Sequence, residues 1–180
     1  MIENWRPISK KSYTHSIWRK ILDVEFEMPD GKRRTYSLKE EGEVVAVFAM
    51  DKNNQIILTR QFRPGPMEVI DEIPGGCVDE GEDPETAAAR ELLEETGYQA
   101  GRIKSLGTVH ECAYSTIQRS VYIALECEKV SDQNLDDGEF IEVVKKSIPE
   151  FIQQLMSGDC TDPEVGWMAL YDLGIIKQVL

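Results

Sequence analysis

Three things are scarce in this chain of 180 residues, and each scarcity excludes a class of protein. Cysteine is sparse and scattered: Cys77, Cys112, Cys127 and Cys160 form no CxxC spacing, which argues against a zinc site or a disulfide framework and for reduced thiols in the cytoplasm. Long apolar runs are missing, and none approaches the roughly 18 residues that a membrane span requires. The first 20 residues carry Trp5 and Pro7 among polar neighbours, without the apolar centre of a signal peptide. Base is outnumbered, with 20 Lys and Arg against 33 Asp and Glu, giving a net charge of -13 and a pI near 4.6. Such a surface repels nucleic acid backbones and anionic membranes, so neither is an expected partner. A small anionic substrate would need cations or arginines where it binds.

What is present suits a globular protein that buries a real core: 41% of residues are hydrophobic and 29% charged. The length fits one domain, or one domain with a small N-terminal appendage. Residues 19–28 alternate apolar and polar side chains, the period of a half-buried strand. Pro29, Asp30 and Gly31 form a turn, and residues 32–38 resume as a second strand, making a hairpin. Strands are also expected over 44–50, 55–60, 68–72, 102–110, 119–126 and 140–144. The strongest helix starts at Asp83, a good N-cap, followed by Pro84 at a tolerated position and Glu85 at the positive end of the dipole. Gly97 supplies its stop. Two helices close the chain, over 149–156 and from Asp162 and Pro163 to about 178. Strands on both sides of a central helix imply an α+β fold with helices packed on a mixed sheet.

The chemistry concentrates in residues 76–98, GCVDEGEDPETAAARELLEETGY. Glu91 and Glu95 are four apart and Glu94 is three from Glu91, so the three carboxylates share one helix face. Ala88, Ala89, Leu92 and Leu93 make an adjoining face that suits packing on a sheet. A solvated acidic face is the competing interpretation, yet Arg90 is the only base on this helix. Two carboxylates about 4 Å apart repel by roughly 4 kcal/mol at an effective dielectric of 20, a cost that invites a divalent cation. The preceding Ile73-Pro74-Gly75-Gly76 allows a backbone carbonyl to approach closely. Oxygen ligands with no nearby Cys or His pair favour Mg²⁺ or Mn²⁺ over zinc.

This stretch resembles the Nudix box, GX5EX7REUXEEXGU, where U is a bulky apolar residue. Gly76, Glu82, Arg90, Glu91, Leu92, Glu94, Glu95, Gly97 and Tyr98 take its nine defined positions in order, with Tyr98 a mild departure at the last. The resemblance implies an α/β/α sandwich, a mixed sheet flanked by helices, with a small N-terminal antiparallel sheet. It also implies an Mg²⁺-dependent hydrolase of phosphoric anhydride bonds, with Mn²⁺ an available substitute. Glu91 and Glu95 become the main metal ligands, Glu94 a further or alternating one, and the carbonyl of Gly75 a fourth donor. Glu94 and Glu95 count as catalytic on the same ground. Arg90 and Glu82 are expected to hold the loop–helix–loop geometry by pairing with the acids, with Gly76 and Gly97 shaping the backbone.

The flanks narrow the resemblance to the ADP-ribose and nucleoside diphosphate sugar pyrophosphatase branch. In Arg60-Gln61-Phe62-Arg63-Pro64-Gly65 and Glu72-Ile73-Pro74-Gly75-Gly76, Arg63 and Glu72 correspond to substrate-binding residues, and a guanidinium suits a diphosphate. A surface salt bridge is the alternative for Arg63. The segment from Asp136 to Val143 resembles an acidic loop that delivers another carboxylate, and Glu139 is favoured over Glu142, which lies in the apparent strand. A solvent-exposed acidic turn is the alternative there. ADP-ribose-selective enzymes commonly carry a proline a short way past the box, and residues 111–119 have none, which leaves other sugars open. The branch further implies a homodimer through residues 1–42, with 43–180 as the hydrolase domain. Trp18 is the candidate for stacking on the base, with Trp5 behind it, and core or interface packing the alternative for both. The expected reaction yields a nucleoside monophosphate and a sugar phosphate. A catalytically silent nucleotide sensor and a nucleoside triphosphate-cleaning hydrolase are the competing functions.

Overall fold

The computed structural model describes residues 3–16 and 19–176. The chain divides into two compact units, Met1–Glu43 with Val109–Arg119, and Val44–Thr108 with Ser120–Leu180.

The first unit is a three-stranded antiparallel sheet in the order β1 (Arg6–Ser16), β2 (Arg19–Glu27), β3 (Arg33–Glu40). The expected hairpin is β2–β3, paired from Glu27↔Arg33 to Lys20↔Glu40. Its turn closes with Gly31 at φ +75°, whose N–H donates to the Met28 carbonyl at 2.9 Å. Nothing in the sequence pattern marks β1 as a strand. Its RPISKKSYTHS is polar on both faces and exposed along nearly its whole length, so it carries no alternating apolar signal. Aromatic rings gather on this unit: Trp5 lies 6.1 Å from Phe26 and 5.5 Å from Tyr36, and Tyr114 stacks 6.5 Å from Tyr36. Tyr114 belongs to a segment tied to β3 by Lys39 N–H on its carbonyl and by Thr116 N–H on the Lys39 carbonyl.

The second unit is built on a seven-stranded mixed sheet whose main path runs β10-β5-β4-β9-β7. β4 (Val44–Asp51) and β5 (Gln55–Arg63) form its centre, and β10 (Glu142–Ser147) pairs antiparallel with the first part of β5. β6 (Glu68–Glu72) pairs with the last part of β5, from Thr59↔Glu72 to Arg63↔Glu68. β7 (Tyr98–Gln99) and β8 (Arg102–His110) both pair with β9 (Gln118–Lys129). The alternation along β4 sends side chains to two cores. Val45, Val47 and Ala49 pack with Ile57, Tyr122 and Ala124 against Ala87, Ala88 and Leu92 of α1 (Pro84–Thr96). On the other face Phe48 meets Phe151 of α2 (Ile148–Ser157) edge-on at 5.6 Å, and α3 (Pro163–Asp172) buries Val165, Ala169 and Leu170. Helices on both faces of a mixed sheet make this the expected α/β/α sandwich.

Some bounds differ from the sequence reading. β10 starts at Glu142 rather than 140, because Phe140 is exposed and Asp136 to Glu139 close a turn just before it. α3 ends at Asp172, short of 178, where Gly174 adopts φ +69° and Leu173 caps with its N–H on the Ala169 carbonyl. Among the described residues no helix is long and apolar enough to cross a membrane.

Candidate active site

Local chemistry fixes α1 at both ends. The Asp83 carboxylate accepts from the amides of Glu85 (3.1 Å) and Thr86 (3.3 Å), filling two of the donors that a helix start leaves open. Gly97, at φ +69°, turns the chain out with its N–H on the Leu93 carbonyl at 2.7 Å. Ala87, Ala88 and Leu92 bury one side, so the acids are presented on another.

Arg90 organises those acids. Its Nε and one terminal nitrogen meet the two oxygens of Glu82 at 2.9 and 2.8 Å, and that terminal nitrogen also donates to the Cys77 carbonyl at 3.0 Å. The other terminal nitrogen reaches Glu91 at 2.8 Å and Glu94 at 3.0 Å. The bidentate pairing with Arg90, helped by the Asp79 amide, holds the Glu82 carboxyl down at about 2. The Glu91 carboxylate lies flat on Gly76, where a Cβ would stand 2.5 Å from its carboxyl carbon. A larger residue there would push the Glu91 carboxylate aside. Gly75 is confined from its other side, since a Cβ would run into the Val45 carbonyl oxygen of β4.

Glu95 faces the loop before the helix, and its carboxylate accepts from the Gly75 N–H at 2.9 Å. Burial, together with the charges of Glu91 and Glu139, pushes its carboxyl up to about 8 against the opposing pull of that N–H and of Arg63. Glu91 is raised as well, by burial first and then by Glu94 and Glu139. Glu139 thus adds to the charge that raises both Glu91 and Glu95, and Arg63 opposes it at Glu95. Glu139 sits in the loop ahead of β10, its carboxylate accepting from the Asp136 amide at 3.0 Å. Glu142 opens β10 and lies 4.0 Å from Arg60.

Arg63 makes the salt bridge given as its alternative role, from a side chain 44% exposed to a buried partner. Its Nε donates to Glu72 at 2.6 Å, and Glu72 is only 2% exposed. The second Glu72 oxygen accepts from the Thr161 hydroxyl at 2.7 Å. Thr161 was invisible in the sequence, because its contact spans 89 residues and belongs to no motif. Tyr98, at the last box position, is buried with the Lys145 and Lys129 ammonium groups 5.0 and 5.6 Å from its ring centre. Two ammonium groups near the ring account for an aromatic residue where an aliphatic one is expected. Trp5 packs within the aromatic group of the first unit, and Trp18 lies outside the described residues.

The donors suit a hard divalent cation. They are carboxylates, two of them raised by burial and by each other's charge, a penalty that a cation would relieve. As placed, however, no three acidic, histidine or cysteine side chains among the described residues stand close enough to hold one, and Arg90 keeps one oxygen each of Glu91 and Glu94.

The NUDIX domain pattern matches residues 41–154, and the chain belongs to the Nudix hydrolase family. It is 29% identical over 157 residues to the ADP-ribose pyrophosphatase of Bacillus subtilis (strain 168), covering 84% of this chain and 85% of that one. It is 31% identical over 139 residues to the methanol dehydrogenase activator of Bacillus methanolicus, with 76% and 75% covered. A crystal structure of an ADP compounds hydrolase shares the fold, with a TM-score of 0.78 at 20% identity over 98% of this chain and 99% of that one.

Proposed function

We propose that this protein is an Mg²⁺-dependent pyrophosphohydrolase that splits a nucleoside diphosphate sugar of the ADP-ribose class into a nucleoside monophosphate and a sugar phosphate. The observation that carries the reading is the acidic face of α1, where Glu95 is buried and Glu91 half-buried and both carboxyls are raised by burial and by neighbouring acids. A relative spanning most of the chain is named for ADP-ribose, which supports that sugar despite the missing proline in residues 111–119. Glu91, Glu94, Glu95 and the Gly75 carbonyl are the residues to hold Mg²⁺, with Mn²⁺ a substitute. Bound there, the ion supplies charge neutralisation for the diphosphate and a lowered pKa for water.

The chain's own groups do the rest. Arg63 turns its remaining guanidinium nitrogens to the diphosphate, while Glu72 fixes its Nε. Glu139 takes the proton from the attacking water as the new oxygen–phosphorus bond forms and the bridging phosphoanhydride oxygen departs. Gly76, Glu82, Arg90 and Gly97 keep the loop and helix in register. We assign residues 1–42 to dimerisation and 43–180 to hydrolysis, with Trp18 contacting the base. The scattered cysteines, without CxxC spacing, suit a reducing compartment, and we assign the protein to the cytoplasm.

The test is a panel of ADP-ribose, ADP-, GDP- and UDP-sugars and nucleoside triphosphates, with product identification, in Mg²⁺ and in chelator. Metal-dependent release of a monophosphate from a diphosphate sugar is expected, and Glu95→Gln should bind substrate yet lose most of kcat. Tight binding with no turnover would point instead to a silent nucleotide sensor, and preference for triphosphates to a cleaning hydrolase.

A further inference from the structure

The loop that carries Glu139 is fastened to the end of the helix it faces. A helix leaves its last carbonyls without intrahelical donors, and here residues 129–134 supply them. Lys129 Nζ reaches the Thr96 carbonyl at 2.8 Å. The amides of Val130 and Ser131 lie on the Gly97 carbonyl at 3.0 and 3.3 Å, and that of Asn134 on the Glu94 carbonyl at 2.9 Å. The Glu95 carbonyl between them is taken by a side chain, with Gln133 Nε2 donating at 2.6 Å.

The same nitrogen lies 3.1 Å from the Ile141 carbonyl, at the far end of the loop. A primary amide nitrogen carries two hydrogens, so one Gln133 side chain can make both bonds at once. It thereby closes a ring in which residues 134–140 are looped out and Glu139 sits two residues before an anchored carbonyl. Inside the ring a small turn is self-contained: Glu139 N–H donates to the Asp136 carbonyl at 3.1 Å, and Gly138 takes φ +91°. The ring meets the Nudix box only at the Glu95 backbone carbonyl, and the small turn does not touch it.

We propose that Gln133 is a positioning residue for Glu139, its amide bridging the helix end and the loop exit so that the loop carrying this carboxylate is fixed to the C-terminal end of α1. The catalytic half of the proposal rests on the functional reading above; the anchoring half does not. A plain helix cap would also bond the Glu95 carbonyl, but it would have no reason to reach Ile141, nor to couple to Glu139.

Gln133→Met keeps the length and removes both donors. At saturating metal its kcat should fall by about tenfold or more with KM within about twofold, because the loss acts on the reacting group and not on ground-state binding. Combined with Glu139→Gln, it should add little to the loss that Glu139→Gln causes alone, since both changes disable one device. Multiplicative losses in the double variant, or an unchanged kcat in Gln133→Met, would overturn the proposal. Hydrogen exchange on the wild type and Gln133→Met, repeated with Gln133→Asn should the first variant fold poorly, reads the anchor without activity. Amides of residues 134–140 should exchange at least about tenfold faster while the interior of α1 is unchanged, and unaltered exchange refutes the anchor. If the wild type turns over none of the panel, the hydrolase reading falls, and exchange alone decides whether the anchor exists.

Discussion

Glu82 and Glu95 belong to the same short motif, yet their carboxyls are driven in opposite directions, to about 2 and to about 8. The difference is one of company. Glu82 has the bidentate face of Arg90, whereas Glu95 is buried with one backbone N–H and two acidic neighbours. An acid whose folded value lies above its ordinary 4.5 keeps a proton in the native state that the unfolded chain has already released. Stability from this group is therefore full below pH 4.5 and is lost as the pH climbs through about 8. In chelator, the melting temperature of the wild type should drop over that window more than that of Glu95→Gln. A divalent cation selects the ionised form, so Mg²⁺ should raise the wild-type melting temperature more at pH 8 than at pH 5.5. Equal slopes for the two proteins, or an Mg²⁺ shift independent of pH, would show that Glu95 is neither strained nor a ligand.

Among elements, α1 was the most legible because its signals are local. Asp83, Pro84 and Gly97 mark its ends in the sequence, and the observed helix keeps both marks. The bounds of β6 and β8 agree with the reading for the same reason, as each is flanked by turn residues. β1 escaped notice because a strand exposed on both faces has no hydrophobic period, and β7 because two residues cannot show one. The site divides in the same way. Glu91, Glu94 and Glu95 sit on one helix face, which spacing alone reveals, whereas Gln133 and Thr161 act across 38 and 89 residues of chain. Gly97 is where local and distant constraints meet. Its φ of +69° disfavours any Cβ, and a Cβ there would also run into the Ser131 carbonyl at the root of the Glu139 loop. Gly97→Ala should cost about 1 kcal/mol or more in denaturant unfolding and lower kcat as well. An alanine variant of wild-type stability and rate would mean that this cap constrains nothing.

For the whole molecule the decisive asymmetry is charge. The chain carries a net -13, yet β1 has no acid of its own and presents Lys10 and Lys11, with Arg6 paired to Glu27 of β2, on a strand that is exposed along nearly all its length. β1 is also an edge of its sheet, leaving backbone donors and acceptors toward solvent, and its lysines discourage indiscriminate edge pairing. They do not discourage a second acidic copy of the same chain, which offers the complementary field. The neighbouring aromatic group adds apolar area, with Trp5 41% and Tyr114 59% exposed. A homodimer held through this unit should therefore show a mass of about 41 kDa in light scattering, twice the 20.5 kDa of one chain. Because exposed charges are screened within about 8 Å at physiological salt, dissociation should become easier as salt rises. Reversing Lys10 and Lys11 to Glu should shift the equilibrium to monomer without unfolding the hydrolase unit, whose core contains neither residue. A wild-type mass of one chain at every concentration rules the dimer out; a charge-reversed dimer as stable as the wild type rules out the basic strand as its cause.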